Sequence, residues 1–356
     1  MVDMPFGVSR LDSMLDGGVP TGSVVLLATE PGAGGRKFAQ TSAAMNALAT
    51  TDNEAFERHY RGIDHEGVIV PASVHYLSVA ATTDSLEAAL TETVSTEIAA
   101  RAAAGITYHD LSATYFDATD VPAAWYQDSD EPPSLPPEPA ADGDTVSDGD
   151  SDDAVDTDDT ADPFDYGETT ATIPSDDAGD STTAGDGTNA AGTDAGDTVA
   201  SDTSSTTGAG RDASGATDTP AILSALRASL DDAVGGNLVV IDAITDLDDL
   251  SDDVVSWAAV VRLLRGLTRM VTARGGLVLV VADAEAVTDA QLGSLSAATT
   301  GTLSFAWETG GSQRARLLSI RELPGALDRL DRDEIAAFES ELHDRGYDLS
   351  NVRKIR

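Results

Sequence analysis

Fifteen residues, Val24 to Phe38, constrain the fold more than any other stretch of the chain. Val24-Val25-Leu26-Leu27-Ala28 is an uninterrupted apolar run, Thr29-Glu30-Pro31-Gly32-Ala33-Gly34-Gly35 is a glycine-rich turn, and Arg36-Lys37-Phe38 opens a segment that continues at helical spacing to Leu48. An apolar run with no polar interruption predicts a strand covered on both faces, as in parallel sheets. Small residues in the turn let successive backbone N–H groups converge. The helix that follows adds the positive end of its dipole, so the place suits a phosphate.

The P-loop template G-x-x-x-x-G-K-[ST] carries a lysine for the terminal phosphates and a hydroxyl for magnesium. Laid on it, the eight positions from Thr29 to Arg36 keep Gly34. They place Thr29 at the first glycine, Gly35 at the lysine and Arg36 at the hydroxyl. The candidate cofactor-binding residues are Pro31, Gly32, Ala33, Gly34, Gly35, Arg36 and Lys37, together with Asp242 at the end of a later strand. Lys37 comes two residues late and on a helix points roughly 200° away from the lysine position, which leaves Arg36 as the better anion contact. The plainer reading of Gly32, Gly34 and Gly35 is a tight turn before a helix.

The rest of the chain alternates between strand and helix patterns. A short helix over 9–16, with Ser9 as a plausible N-cap, stops at Gly17-Gly18. After the helix 37–48, residues 50–72 read as irregular. Strand 74–79, an alanine-rich helix 84–103 and strand 106–111 follow. A helix over 220–234 stops at Gly235-Gly236, and strand 237–242 ends in Asp242. A carboxylate at the end of a buried strand beside a phosphate loop can orient a metal through water, though Asp also caps helices and forms turns.

Trp257, Val260, Val261, Leu264, Leu267, Met270 and Val271 form a helical core stripe, and Leu277 to Val281 is a further central strand. Strands 302–308 and 313–322 flank the hairpin signal Thr309-Gly310-Gly311-Ser312. Asp331 or Asp333 caps a predicted helix carrying Ile335, Phe338 and Leu342 and ended by Gly346. Residues 347–356 are locally basic and read as surface packing against the acidic body. The pattern is that of an α/β doubly wound fold with a mostly parallel central sheet.

Charge is distributed unevenly. Residues 128–219 hold twenty-five acidic residues against one basic, which leaves −17 of the chain's −41 for the other 264 positions. That stretch has too few large apolar residues to offset its ordering entropy and is expected to be a disordered acidic insert. It divides a core into the parts 1–127 and 220–356. Its segment Asp150 to Asp156 lacks the glycine and glutamate of a calcium loop, so no metal site is expected there.

Lys37 and Lys354 are the only lysines against nineteen arginines, a balance suited to molar salt, where the Debye length is about 3 Å. The acidity argues against a nucleic-acid surface. The chain has no cysteine, no membrane-length apolar run and no signal peptide before Phe6, so a soluble cytoplasmic protein is expected.

Gly7-Val8-Ser9-Arg10-Leu11-Asp12, Leu15-Asp16-Gly17-Gly18-Val19-Pro20-Thr21-Gly22-Ser23 and the turn Pro31-Gly32-Ala33-Gly34 resemble the opening of the KaiC-like, RecA-superfamily ATPases of archaea, and most resemble the haloarchaeal HTR-like members linked to signal transduction. The resemblance covers essentially all of the chain outside 128–219. It implies a RecA-like P-loop NTPase core with a C-terminal hairpin and helix. It also implies ATP between the first core strand and the next helix, and a homo-oligomeric ring sharing nucleotide across subunits.

The departures from the family pattern fall where its chemistry lies. The P-loop lysine and threonine fall on Gly35 and Arg36, and the glutamates that polarise water fall on Ala80-Ala81. The trans-acting Lys-x-Arg-Gly falls on Glu322-Leu323-Pro324-Gly325. The expected function is therefore a non-hydrolysing regulatory or interaction module in signalling, with a protein partner, with ATP binding weak or lost and with magnesium left open. The alternatives are an active ATPase using Arg36 or Lys37, a purely structural partner-binding protein, and a DNA recombination accessory. The last is disfavoured by the acidic run Asp246 to Asp253.

Overall fold

The computed structural model describes residues 2–60, 67–127, 219–308, 315–325 and 337–353. The acidic insert, its Asp150–Asp156 segment, the turn 309–312 and the expected helix start at 331–335 lie outside the described residues, apart from Thr219.

The sheet grows outward from the apolar run. Strand β3 (Ser23–Thr29) is buried at every position. It follows a small antiparallel ribbon of β1 (Asp3–Met4) and β2 (Val19–Pro20), which brackets helix α1 (Ser9–Met14). Helices α2 (Gly35–Thr51) and α3 (Asn53–His59) lead to β4 (Val74–Ser78). Helices α4 (Thr83–Thr93) and α5 (Thr96–Ala103) then lead to β5 (Ile106–Asp110) and the short α6 (Ser112–Phe116). Past the insert come α7 (Ala221–Ala233), β6 (Leu238–Asp242), α8 (Trp257–Arg274), β7 (Leu277–Asp283), α9 (Asp289–Ser296), β8 (Gly301–Trp307), β9 (Arg316–Glu322), β10 (Ala337–His343) and β11 (Gly346–Arg353).

These strands form one nine-stranded sheet in the order β11-β10-β9-β8-β3-β7-β6-β4-β5. The six from β8 to β5 run parallel, and β9, β10 and β11 alternate in direction at one edge. The fold is mixed α/β with a mostly parallel central sheet, as expected. Successive side chains of a strand take opposite faces. Val25 and Leu27 accordingly join a core with Phe38 and Ala43, and Val24 and Leu26 join a second core with Leu226 and Leu264. Among the described residues no helix is long and apolar enough to cross a membrane.

Three local expectations need correction. Residues 50–72 are not wholly irregular, because Asp52 accepts the Ala55 N–H at 3.0 Å and starts α3. The helix expected over 84–103 is two helices, broken at Val94-Ser95, where the Ser95 N–H bonds the Asp344 carbonyl at 2.7 Å and its hydroxyl faces Ile98 N–H. Phe338 and Leu342 lie on strand β10, not on a helix. Spacing alone suited a helix, but Phe338 is paired across to Leu318 on one side and Val352 on the other, and tertiary pairing overrides local preference. Phe338 is buried, whereas Leu342 is 38% exposed.

The turn at Gly7 depends on one buried carboxylate, Asp12, whose burial helical spacing does not reveal. Asp12 accepts the N–H groups of Phe6, Gly7 and Val8 at 2.8, 2.9 and 3.1 Å, and the Tyr60 hydroxyl. Burial raises its pKa from 3.8 to about 7, although those four hydrogen bonds pull it down. The folded state thus holds a proton that the unfolded chain releases, so this group's contribution to stability is full below about pH 4 and is lost as pH rises towards 7.

Asp12→Ala leaves four buried donors without an acceptor and is expected to cost about 3–5 kcal/mol of unfolding free energy in denaturant titration. It should also flatten the stability profile between pH 4 and 7. A loss under about 1 kcal/mol would show that the carboxylate does not hold the turn.

Candidate functional site

Strand β3 delivers the glycine loop to the carboxyl end of the parallel strands, where open α/β sheets form their crevice. The loop is gripped by β8 and β9. Glu30 N–H bonds the Phe305 carbonyl at 2.9 Å, and Trp307 N–H returns a bond to the Glu30 carboxylate at 2.9 Å. Trp307 Nε1–H donates to the Pro31 carbonyl and Arg316 Nε–H to the Gly32 carbonyl, each at 2.9 Å. The Arg316 guanidinium carbon lies 5.1 Å from the Trp307 ring centre. Neither Trp307 nor Arg316 was among the sequence candidates, since only the β8–β9 hairpin brings them to the loop.

Gly34 has φ 110°, and a Cβ there would lie 2.9 Å from the Tyr347 ring, so glycine is required twice over. Gly35 has a stronger steric constraint. A Cβ on it would lie 2.7 Å from Thr29 Cβ and 3.2 Å from the Phe305 ring. Its N–H donates to the Thr29 hydroxyl at 3.3 Å. The residues at the template's first-glycine and lysine positions are therefore matched to each other: the larger side chain at 29 is accommodated by the missing one at 35.

Beneath the loop, Phe38 of α2 packs against Phe6, Phe305 and Tyr347 with ring centres 5.4 to 5.6 Å apart. Ala33 is buried beside this cluster.

Asp242 ends β6, as expected, and is 7% exposed. Its two oxygens have separate partners: Arg36 Nε–H at 2.8 Å and the Tyr76 hydroxyl at 2.8 Å. Burial alone would lower the Arg36 pKa, but the Asp242 carboxylate, with help from Asp246, raises it instead. Tyr76 is pushed well above the usual phenol value by burial first and by Asp242 second. Lys37 points to α4, its Nζ 3.7 Å from Glu92. The structure thus brings Arg36 and Asp242 together, while Lys37 reaches Glu92 instead of Asp242.

Two clefts flank Arg36. One, of about 260 Å³, is lined by Pro31, Gly32, Gly34, Lys37 and Arg316 among others. The second, of about 430 Å³, is lined by Ala80, Ala81, Tyr115, Asp242, Asp246 and Asp249. Ala81 presents no functional group; its N–H is bonded to the Ser78 hydroxyl at 2.9 Å. Asp246 lies in a one-turn 3-10 segment after β6, and its carboxylate accepts the Ala243 N–H at 3.3 Å. Burial raises its pKa from 3.8 to about 6, with Ala243 and Arg36 pulling down and Asp242 and Asp249 pushing up. Its place four residues after a strand-end Asp was visible in the sequence, but its burial was not. Glu322 ends β9, exposed, with Leu323 buried beside it. Among the described residues no group of three or more His, Asp or Glu could hold a metal ion.

No family model matches the chain, and no curated protein matches it. Solved structures similar to it include the flagellar accessory protein FlaH from Methanocaldococcus jannaschii, at 11% identity over 96% of this chain and 95% of that one, with a TM-score of 0.47. Another is the KaiC-like protein PH0186 from the hyperthermophilic archaeon Pyrococcus horikoshii OT3, at 10% identity over 98% of each chain, with a TM-score of 0.48.

Arg36→Ala removes the cation from a cleft that holds three carboxylates. The Asp246 pKa is expected to rise above about 6 in a 13C carboxyl NMR titration, with Asp246→Asn used to assign the signal. An unchanged or lower value would break the electrostatic link drawn between Arg36 and the acidic wall.

Proposed function

We propose that this chain is a RecA-type regulatory or interaction module that does not hydrolyse ATP. The observation that carries the reading is the contact between Thr29 and Gly35. The position that needs a lysine has no room for a side chain, and its amide already bonds the Thr29 hydroxyl. The Arg36–Asp242 pair supports it independently, because Arg36 stands in place of the magnesium hydroxyl and engages one Asp242 oxygen while Tyr76 engages the other. These residues do not fit magnesium, because both Asp242 oxygens are engaged and no hydroxyl stands at position 36.

Ala80 and Ala81 cannot accept a proton or orient water. Removing a single charge-stabilising group can cost about 2.7–4 kcal/mol of transition-state stabilisation, and here several such groups are replaced together. A role in signalling, with a protein partner, remains the functional class that the family resemblance suggests.

Weak nucleotide binding is the second reading, favoured by the cleft beside the loop, which collects Arg36, Lys37 and Arg316. Calorimetry with ATP separates the two: heat without turnover identifies a nucleotide sensor, and no heat at millimolar ATP a partner-binding scaffold.

In molar KCl the chain is expected to release phosphate from ATP no faster than buffer. Gly35→Lys alone should destabilise it through collision with Thr29. The triple change Thr29→Gly, Gly35→Lys, Arg36→Thr should tighten ATP binding at least tenfold, because the P-loop lysine is worth several hydrogen bonds to charge. Brisk turnover by the natural chain, abolished by Arg36→Ala or Lys37→Ala, would overturn the proposal.

A further inference from the structure

Helix α8 has a surface charge opposite to that of the rest of the chain. The sequence has 62 acidic residues against 21 basic, yet the eighteen residues of α8 contain Arg262, Arg265, Arg269 and Arg274 and no Asp or Glu. Arg262, Arg265 and Arg269 are separated by three and four positions, so they share one stripe of the helix. All three are exposed, and none has an ion-pair partner among the described residues. Arg274 differs, being bonded to Asp231 at 3.1 Å. From α7 the exposed Arg227 faces the same groove as Arg262 and, among the described residues, bonds the Thr219 hydroxyl at 3.3 Å.

The groove between α7 and α8 measures about 490 Å³, with Leu230, Leu263, Leu267 and Met270 among its lining residues. At Gly266 the wall opens: among the described residues nothing outside the helix's own backbone lies within 4 Å of where a Cβ would stand. Among the described lining residues the one acidic side chain, Asp231, is already paired with Arg274.

We propose that this groove docks an amphipathic acidic helix of a partner protein. An apolar floor rimmed by Arg227 and Arg262, with Arg265 and Arg269 further round α8 outside the lining, is complementary to a helix that presents leucine-type anchors at i, i+3, i+4 and i+7, with carboxylates along their flanks. Opposite charge at the rim selects such a partner and speeds its encounter. A nucleic acid fits less well. A phosphate backbone gains nothing from leucines, and among the described residues no aromatic ring lines the groove to stack a base. The groove shares no residue with the glycine loop or its clefts, so this inference stands whether or not the loop binds nucleotide.

The test uses the full chain and a fluorescein-labelled peptide with leucines on one helical face and glutamates elsewhere, followed by anisotropy at low and at molar KCl. Its controls are a scrambled peptide of the same composition, oligoglutamate and single-stranded DNA. The patterned peptide is expected to bind saturably, and the double change Arg227→Glu, Arg262→Glu should weaken it roughly tenfold with the melting temperature unchanged. Equal binding of the scrambled peptide, oligoglutamate or DNA, or indifference to the charge reversal, overturns the proposal.

A photo-crosslinking residue substituted at Gly266, where there is room for it, fixes the location. Cross-links to the patterned peptide support the groove. Cross-links only to residues 128–218 of the same chain, or to a second copy, assign it to another occupant and overturn the proposal.

Discussion

Burial of β3 on both faces is the constraint on which the rest of the structure depends. Its seven residues lie between β7 on one edge and β8 on the other, and its side chains alternate between two cores. Val24, Val25, Leu26 and Leu27 each contribute roughly 1.5–3 kcal/mol by leaving water. A slip of one residue would exchange the two faces, so the register is held firmly. The following turn is thereby delivered to the crevice end of the sheet whatever its own residues can bind.

That independence lets the loop keep its shape through contacts within the protein. Its carbonyls at Pro31 and Gly32 are held by Trp307 and Arg316, and its Gly35 amide by Thr29. The aromatic cluster around Phe38 packs α2 against the sheet from below. Protein groups supply these contacts, so the strand, turn and helix need no phosphate to keep their form. On the proposed reading, hydrolysis was lost by exchanging side chains at Thr29, Gly35, Arg36, Ala80 and Ala81 while the backbone that once served it was retained.

Several of the few cations of this acidic chain tie distant segments together. Arg10 bonds the carbonyls of Leu349 and Ser350, Arg36 bonds Asp242, and Arg316 bonds the Gly32 carbonyl, and each link joins segments more than two hundred residues apart. These arginines hold the two ends of the chain and the loop together. Those on the outer stripe of α8 hold nothing among the described residues, and this contrast is what marks that face as a surface for another molecule.

The sequence alone determined the elements whose signal is local: the apolar run of β3, the glycine turn, the helix after it, the stripe of α8 and the carboxylate that ends β6. Each is a periodicity or a residue pair within a few positions, and backbone geometry reads such patterns directly. Only the tertiary structure decided which strands are neighbours, that Arg36 meets Asp242 and Tyr76, that Thr29 fills the space beside Gly35, and that Asp12 holds a turn through three amides. It also decided that Phe338 lies on a strand. At that position the spacing suited a helix, but the backbone groups of β10 find partners on β9 and β11. The physical reason is common to all of these: packing and hydrogen bonding between distant segments depend on where the sheet brings them, and no local window of sequence contains that distance.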